Sequence, residues 1–370
     1  MCGFVGRVSR EPAAERLFAS LRGLEYRGYD SAGLATIIDG SIARRRAEGK
    51  LNNLEQRKDP LPGSVGIGHT RWATHGAPTE DNAHPHTDGD VAVVHNGIIE
   101  NFRELKAELA AAGHRFATAT DTEVVVHLVR RLLDQSLAPD AAARAMAGRL
   151  TGAFALAILI RSAPEELYVA RHGSPLAIGY GADEMFVGSD ALALAPLTGQ
   201  LTYLEDGDVA RITLTGATVW DSTGAEVNRP IQSVQMSGAA IGKAGHRHFM
   251  HKEIHEQPTV CGDWLRAHLD AEGGRVGLEV PGVDFGDIAK LTIVACGTAY
   301  YAGCVARYWF ESVAKLPCEV EIASEFRYRD PVLLSDGITL AISQSGETAD
   351  TLAALSHAKA AGQRTLAVVN

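Results

Sequence analysis

Through the first 230 positions, apolar residues gather in short blocks separated by glycine and polar residues, the pattern of a strand-rich domain. Ala32–Ile38 and Ile42–Ala47 flank Asp39-Gly40, a hairpin signal. Val65–His69 and Val91–His95 are short apolar strands, each running into polar residues. Ile98, Phe102, Leu105 and Leu109 then fall on one helical stripe that ends at Gly113. Thr120-Asp-Thr-Glu123 has capping-box spacing and predicts a helix over Val124–Leu133. Ala153–Ile160, Leu167–Arg171, Leu176–Tyr180, Met185–Val187 and three more short strands up to Asp221 complete the pattern, which predicts stacked sheets flanked by helices.

The pattern changes near Ser237. Met236–Gly245 is small and glycine-rich, as suits a linker, and beyond it strands alternate with helical stretches. Strands at Leu291–Ala295, Cys318–Ile322, Ile338–Ile342 and Thr365–Val369 predict a doubly wound parallel sheet. The expected domains are therefore 2–236, a linker at 237–247, and 248–370. The last strand runs directly into Asn370 with no covering helix, so the second domain is expected to be truncated.

Composition narrows the function. A net charge of −10 with no basic block argues against nucleic-acid binding. The longest apolar run, Gly152–Ile160, is too short for a membrane span, and the start shows no signal-peptide pattern, which points to the cytoplasm. The five cysteines show no CxxC pair, so each is read singly rather than as part of a disulfide framework. His84 and His86, or His246, His248, His251 and His255, lack the order and partners of a metal site, and no metal is expected.

Cys2 carries the most specific chemistry. Trimming of Met1 before a small residue leaves Cys2 with a free α-amine, whose pKa of roughly 8 lies close to that of the thiol at roughly 8.5, so one residue holds both nucleophile and base. His95-Asn-Gly97, between a strand and a helix, either makes a plain turn or aims an amide and a backbone N–H into an oxyanion hole. Read singly, Arg71 is a surface charge and Asp121 a helix-dipole partner, but beside Cys2 and Asn96 those readings do not hold together.

Met1-Cys-Gly-Phe-Val-Gly, Tyr26–Gly33, His69–Gly76, Asn82–His86, His95–Asn101 and Thr120–Val124 together resemble the class II, N-terminal-nucleophile glutamine amidotransferases, and most closely the glutamine:fructose-6-phosphate aminotransferase (isomerising) family. The resemblance runs along the whole chain. It implies an α+β four-layer αββα glutaminase sandwich followed by an α/β sugar isomerase (SIS) module. It also implies transfer of ammonia from L-glutamine to D-fructose 6-phosphate, giving L-glutamate and D-glucosamine 6-phosphate, the first step of amino-sugar biosynthesis.

In that reading Cys2 is the nucleophile, Asn96 and the Gly97 N–H form the oxyanion hole, and Arg71 clamps the glutamine α-carboxylate. Asp121 receives the α-ammonium, Thr74 and His75 line the pocket, and Trp72 gates the ammonia.

In the second half, the turns after Leu291–Ala295 and Ile338–Ile342 lead into helices with the small polar residues of an anion site. GxGxxG and Walker A patterns are absent, so neither dinucleotide nor ATP is expected, and the reading calls for no cofactor. By the same resemblance Cys296, Gly297, Thr298, Ser343, Gln344, Ser345 and Thr348 hold the sugar phosphate. Ala299 departs from the serine common in the family. A second SIS module, with the isomerisation residues, is expected beyond Asn370, and the full-length protein is expected to be a homodimer. Two rivals remain. An amidotransferase serving phosphoribosyl pyrophosphate or an aspartyl adenylate would need a different pattern after the linker. A silent sugar-phosphate regulator would not need Cys2, Arg71, Asn96 and Asp121 together.

Overall fold

The structure, a computed structural model, describes residues 2–72, 76–189, 191–233, 245–270, 275–277, 283, 285–346 and 348–369. The chain divides into two compact units, Met1–Phe249 and Met250–Asn370. Residues 234–244, which contain most of the expected linker, lie outside the described residues.

In the first unit two antiparallel sheets stack. One has eight strands in the order Gln232–Ser233, Gln200–Tyr203, Ala177–Tyr180, Glu184–Gly188, Gly3–Ser9, Val65–Arg71, Ser31–Ile38 and Ser41–Glu48. The other has seven, ordered Glu226–Val227, Gly216–Trp220, Val209–Thr213, Leu167–His172, Gly152–Ile160, Val91–Ile99 and His86–Thr87. Period-two alternation sends successive residues to opposite faces and so builds three cores. Phe4, Val8, Ile67, Ala92, Val94, Val169 and Val187 meet between the sheets. Val5 and Leu34 point outward against Leu17, Leu21, Leu51 and Leu54 of the helices Ala14–Gly23 and Leu51–Gln56. Val91, Val93 and Ile158 face Leu105, Leu109, Val125, Val129 and Met146 of the helices Phe102–Ala111, Glu123–Asp134 and Pro139–Ala147. The result is the expected αββα sandwich.

Two local expectations need correction. The strand from Val91 does not stop at His95; it continues through Asn96 and Gly97 to Ile99, because the long strand Gly152–Ile160 pairs with it throughout, Asn96 opposite Ala155 and Gly97 opposite Phe154. Ile98 is thereby a strand residue and exposed, not the first position of the helical stripe. Thr120–Glu123 does not form a capping box either. The Glu123 carboxylate instead accepts from Ala117 N (2.7 Å), Thr118 N (2.8 Å) and the Thr118 hydroxyl (2.8 Å), and no side chain caps the helix. The Asp39-Gly40 hairpin forms as expected, with φ of 49° and 68° at its two turn residues.

The second unit carries a four-stranded parallel sheet ordered Cys318–Ile322, Leu291–Ala295, Ile338–Ser343 and Arg364–Val369. The helices Gly297–Trp309, Ala323–Arg329 and Ala349–Ala360 connect its strands in the α/β alternation that the sequence shows. Val294 and Ala341 pack on Ala323, Phe326, Ala354 and Ala358 on one face. No helix among the described residues is long and apolar enough to cross a membrane.

Candidate active site

The pocket in the first unit is assembled from both sheets. Cys2 precedes Gly3–Ser9, a central strand paired on one side with Val65–Arg71 and on the other with Glu184–Gly188. This pairing brings the thiol to the end of the neighbouring strand, where it accepts from the Trp72 N–H (3.2 Å) and donates to the Trp72 carbonyl (3.3 Å). Among the described residues no side-chain base bonds the thiol. Desolvation pushes its pKa up, against smaller opposing pulls from the backbone of Trp72 and the charge of Arg71.

From the second sheet Asn96 reaches across, its Nδ2 donating to the Cys2 carbonyl oxygen at 2.9 Å. Gly97 sits at φ 122°, and a Cβ there would lie 2.0 Å from the Ala153 carbonyl oxygen, so the bend beside Asn96 requires glycine. Arg71 is buried at the strand end and donates to the carbonyls of Gly76 (3.3 Å) and Ala77 (3.2 Å). Burial lowers its pKa, while Cys2, Asp121 and Asp30 act on it in the opposite direction. Gly28 allows the 26–29 segment to pass over this strand end, since a Cβ there would meet the Arg71 carbonyl carbon at 2.6 Å.

Asp121 is also buried. Its Oδ2 accepts from Ile99 N at 2.9 Å and lies 4.0 Å from His95 Nδ1. Trp72 is 43% exposed, its ring edge-on to Tyr29 with centroids 5.4 Å apart. Thr74 and His75 lie outside the described residues. The structure therefore gathers Cys2, Arg71, Trp72, Asn96, Gly97 and Asp121 in one region.

Behind this pocket is a feature that residue-by-residue reading passed over. His69, His84, His86 and His95 are all buried, with ring centroids 4.2 Å apart for His69–His84 and 4.7 Å for His84–His86. Thr122 Oγ1 bridges His84 Nε2 and His95 Nδ1, each at 2.9 Å, and Thr120 Oγ1 meets His86 Nε2 at 3.1 Å. Burial holds the His69 and His86 rings at about 3 and His84 well below the usual range, so all three are neutral near pH 7. The signal was present in the sequence as the His84-x-His86 and Thr120-x-Thr122 spacings, but only the fold shows that they interlock. Among the described residues no group of three or more His, Cys, Asp or Glu is placed to hold a metal ion.

In the second unit the two turns meet at the carboxyl edge of the sheet, because their strands are neighbours with Ala295 opposite Ile342. Cys296 is the N-cap residue of the helix Gly297–Trp309, Gly297 has φ 58°, and Thr298 lies in the first turn. Ser343 Oγ accepts from Gly346 N (3.1 Å) and lies 3.3 Å from Thr348 Oγ1, at the N-cap of Ala349–Ala360. Thr351 Oγ1 approaches Cys296 Sγ at 3.9 Å, tying one turn to the other. Gln344 is exposed and Ser345 half-buried on the same loop.

Comparison with known proteins agrees with both halves. A glutamine amidotransferase domain family matches residues 69–196, and the SIS domain family matches residues 286–370. The glutamine--fructose-6-phosphate aminotransferase [isomerizing] of Zymomonas mobilis is 56% identical over 372 residues, covering 100% of this chain and 61% of the relative. The protein of the same name from Bradyrhizobium diazoefficiens is 56% identical over 373 residues with the same coverage. This chain carries a glutamine amidotransferase domain and a SIS domain, and along its whole length it is similar to these aminotransferases. It spans 61% of the length of these curated relatives. Among solved structures, the Bacillus subtilis glutamine phosphoribosylpyrophosphate amidotransferase complexed with ADP and GMP superposes with a TM-score of 0.54 at 20% identity, covering 93% of this chain and 75% of that one. That likeness shows the shared fold.

Proposed function

We propose that the first unit is a glutaminase in which Cys2 attacks the side-chain amide of glutamine, and that the second binds a sugar phosphate. The whole protein would then make glucosamine 6-phosphate and L-glutamate from fructose 6-phosphate and L-glutamine. The observation that carries the reading is the Cys2 thiol, held on the Trp72 backbone beside the Asn96 amide and within the field of Arg71 and Asp121.

Desolvation favours the protonated thiol, and no side-chain base among the described residues touches it, so the α-amine exposed by removing Met1 is the natural acceptor of its proton. Sulfur then adds to the amide carbon. Asn96 Nδ2 and the Gly97 N–H stabilise the oxyanion, and the ammonium formed at the amine returns its proton to the departing nitrogen. Ammonia leaves and a γ-glutamyl thioester remains. Water, deprotonated by the same amine, cleaves it to glutamate and restores the thiol. Arg71 and Asp121 supply opposite charges for the α-carboxylate and α-ammonium of the substrate, Thr74 and His75 complete the pocket wall, and Trp72 covers its mouth.

In the second unit Cys296–Thr298 and Ser343–Thr348 offer hydroxyls and helix N-termini to a phosphate. The domain division 2–236, 237–247 and 248–370, a cytoplasmic location, a homodimeric full-length protein and no role in nucleic-acid binding belong to the same proposal.

The test is glutamate release together with labelling by an electrophilic glutamine analogue. Intact mass should show loss of Met1 and one adduct on Cys2, and Cys2→Ala should abolish both label and glutamate. An adduct that persists in Cys2→Ala would overturn the reading.

A further inference from the structure

We infer that His69 is a positioning residue that sets the orientation of the Asn96 side-chain amide, through a hydrogen bond crossing from one sheet to the other. The inference rests on the glutaminase reading and deepens it.

An asparagine amide has two orientations related by a half-turn, and only one presents the N–H₂ group to the reacting centre. At Asn96 both ends are specified. Nδ2 faces the Cys2 carbonyl oxygen at 2.9 Å, an atom that only accepts. Oδ1 faces His69 Nε2 at 3.1 Å, and the same nitrogen lies 3.0 Å from the His95 carbonyl oxygen, again an acceptor only. Two acceptors on one nitrogen place the ring proton on Nε2. The opposite amide orientation would set N–H against N–H at His69 and oxygen against oxygen at Cys2.

The ring carries one proton and not two. His69 is fully buried, its Nδ1 has no hydrogen-bond partner among the described residues, and burial holds its pKa at about 3. With Nδ1 bare, Nε2–H is the tautomer that the surroundings select. His69 stands on Val65–Arg71, between Phe4 and Gly33 on the neighbouring strands, while Asn96 stands on Val91–Ile99 of the facing sheet. The bond therefore spans the sandwich, with the ring packed against His84.

Asn96 Nδ2 carries two N–H donors, so one stays on the Cys2 carbonyl while the other meets the negative charge building on the substrate oxygen. His69 fixes the other end of the amide, and its N–H on Oδ1 polarises both Nδ2–H donors in the useful direction. The effect belongs to the transition state, so it should appear in kcat and not in KM.

The test is a set of variants in the full chain, assayed for glutamate release. His69→Phe keeps a ring and removes the donor; kcat should fall by roughly 10- to 100-fold, a share of the full oxyanion-donor loss, with KM within about threefold. His69→Gln carries an amide nitrogen able to replace Nε2–H and should recover to within about fivefold of the parent. In an Asn96→Ala background, His69→Phe should cost less than about twofold more, because the group it positions is gone. If the phenylalanine chain does not fold, His69→Asn, whose shorter amide cannot reach Oδ1, carries the same expectation. An equal penalty in both backgrounds, a glutamine variant as poor as phenylalanine, or a loss confined to KM would overturn the inference. Failure of the glutaminase reading is separable, since it would show first as full activity in Cys2→Ala or in Asn96→Ala alone.

Discussion

Acidification should loosen the first unit well before its carboxylates titrate. The folded-state pKa of both His69 and His86 is lowered, by burial, to about 3. A group shifted in this direction favours the folded state in its neutral form, so its contribution is intact above the unfolded value of roughly 6.5 and is lost as pH falls toward the folded value. Between pH 7 and pH 5 each ring should cost roughly 2 kcal/mol, and the two together roughly 4. His84 acts in the same direction. Glu123 does not interfere in this window: burial raises its carboxyl, but the nearby His127 ring at 3.7 Å and hydrogen bonds from Ala117 and Thr118 outweigh that and hold it at about 2. The assay is urea unfolding at both pH values, read by hydrogen exchange on the Val91–Ile99 segment so that the first unit is followed by itself. His86→Gln keeps a partner for Thr120 and removes one titrating ring, and should recover roughly half of the loss. A parent chain that loses less than about 1 kcal/mol over this interval, or His69 and His86 imidazole resonances that titrate near pH 6.5, would refute the reasoning.

Asn96→Ala should lower the kcat for glutamate release by roughly 10²–10³, and Arg71→Ala should chiefly raise KM; a normal kcat in Asn96→Ala would remove it from the oxyanion hole. Gly97→Ala forces a side chain to φ 122° against the Ala153 carbonyl and should destabilise the first unit by more than about 2 kcal/mol, measured by the same unfolding assay. Ser343→Ala should weaken fructose 6-phosphate binding by about tenfold in calorimetry, the loss of one charge-assisted hydrogen bond, and unchanged affinity would exclude that hydroxyl from the phosphate loop.

Much of this arrangement was legible in the sequence because it follows from local rules. Strand periodicity placed the elements on either side of Asp39-Gly40 and the four parallel strands of the second unit, where Leu291–Ala295 is buried throughout and apolar at every position but Thr292. The readings that failed depend on partners far along the chain. Asn96-Gly97 has the composition of a turn, yet Gly152–Ile160 extends the pairing straight through it. Thr120–Glu123 has the spacing of a capping box, yet the carboxylate satisfies the backbone at Ala117 and Thr118 while Thr120 turns to His86. His69 lay within a motif that the sequence singled out, but its task appears only when the second sheet brings Asn96 to its ring.

The position of the first strand also bears on when the protein matures. Gly3–Ser9 lies inside its sheet, between Val65–Arg71 and Glu184–Gly188, so its second neighbour is not synthesised until about 180 residues later. At ribosomal speeds of about 5–20 residues per second, that interval is on the order of 10–40 s. Throughout it the amino terminus is not yet locked into the finished sheet, which leaves Met1 open to the trimming that the proposed mechanism calls for. Strand order thus works as a delay: the amino-terminal strand waits for its second neighbour until Glu184–Gly188 has left the ribosome.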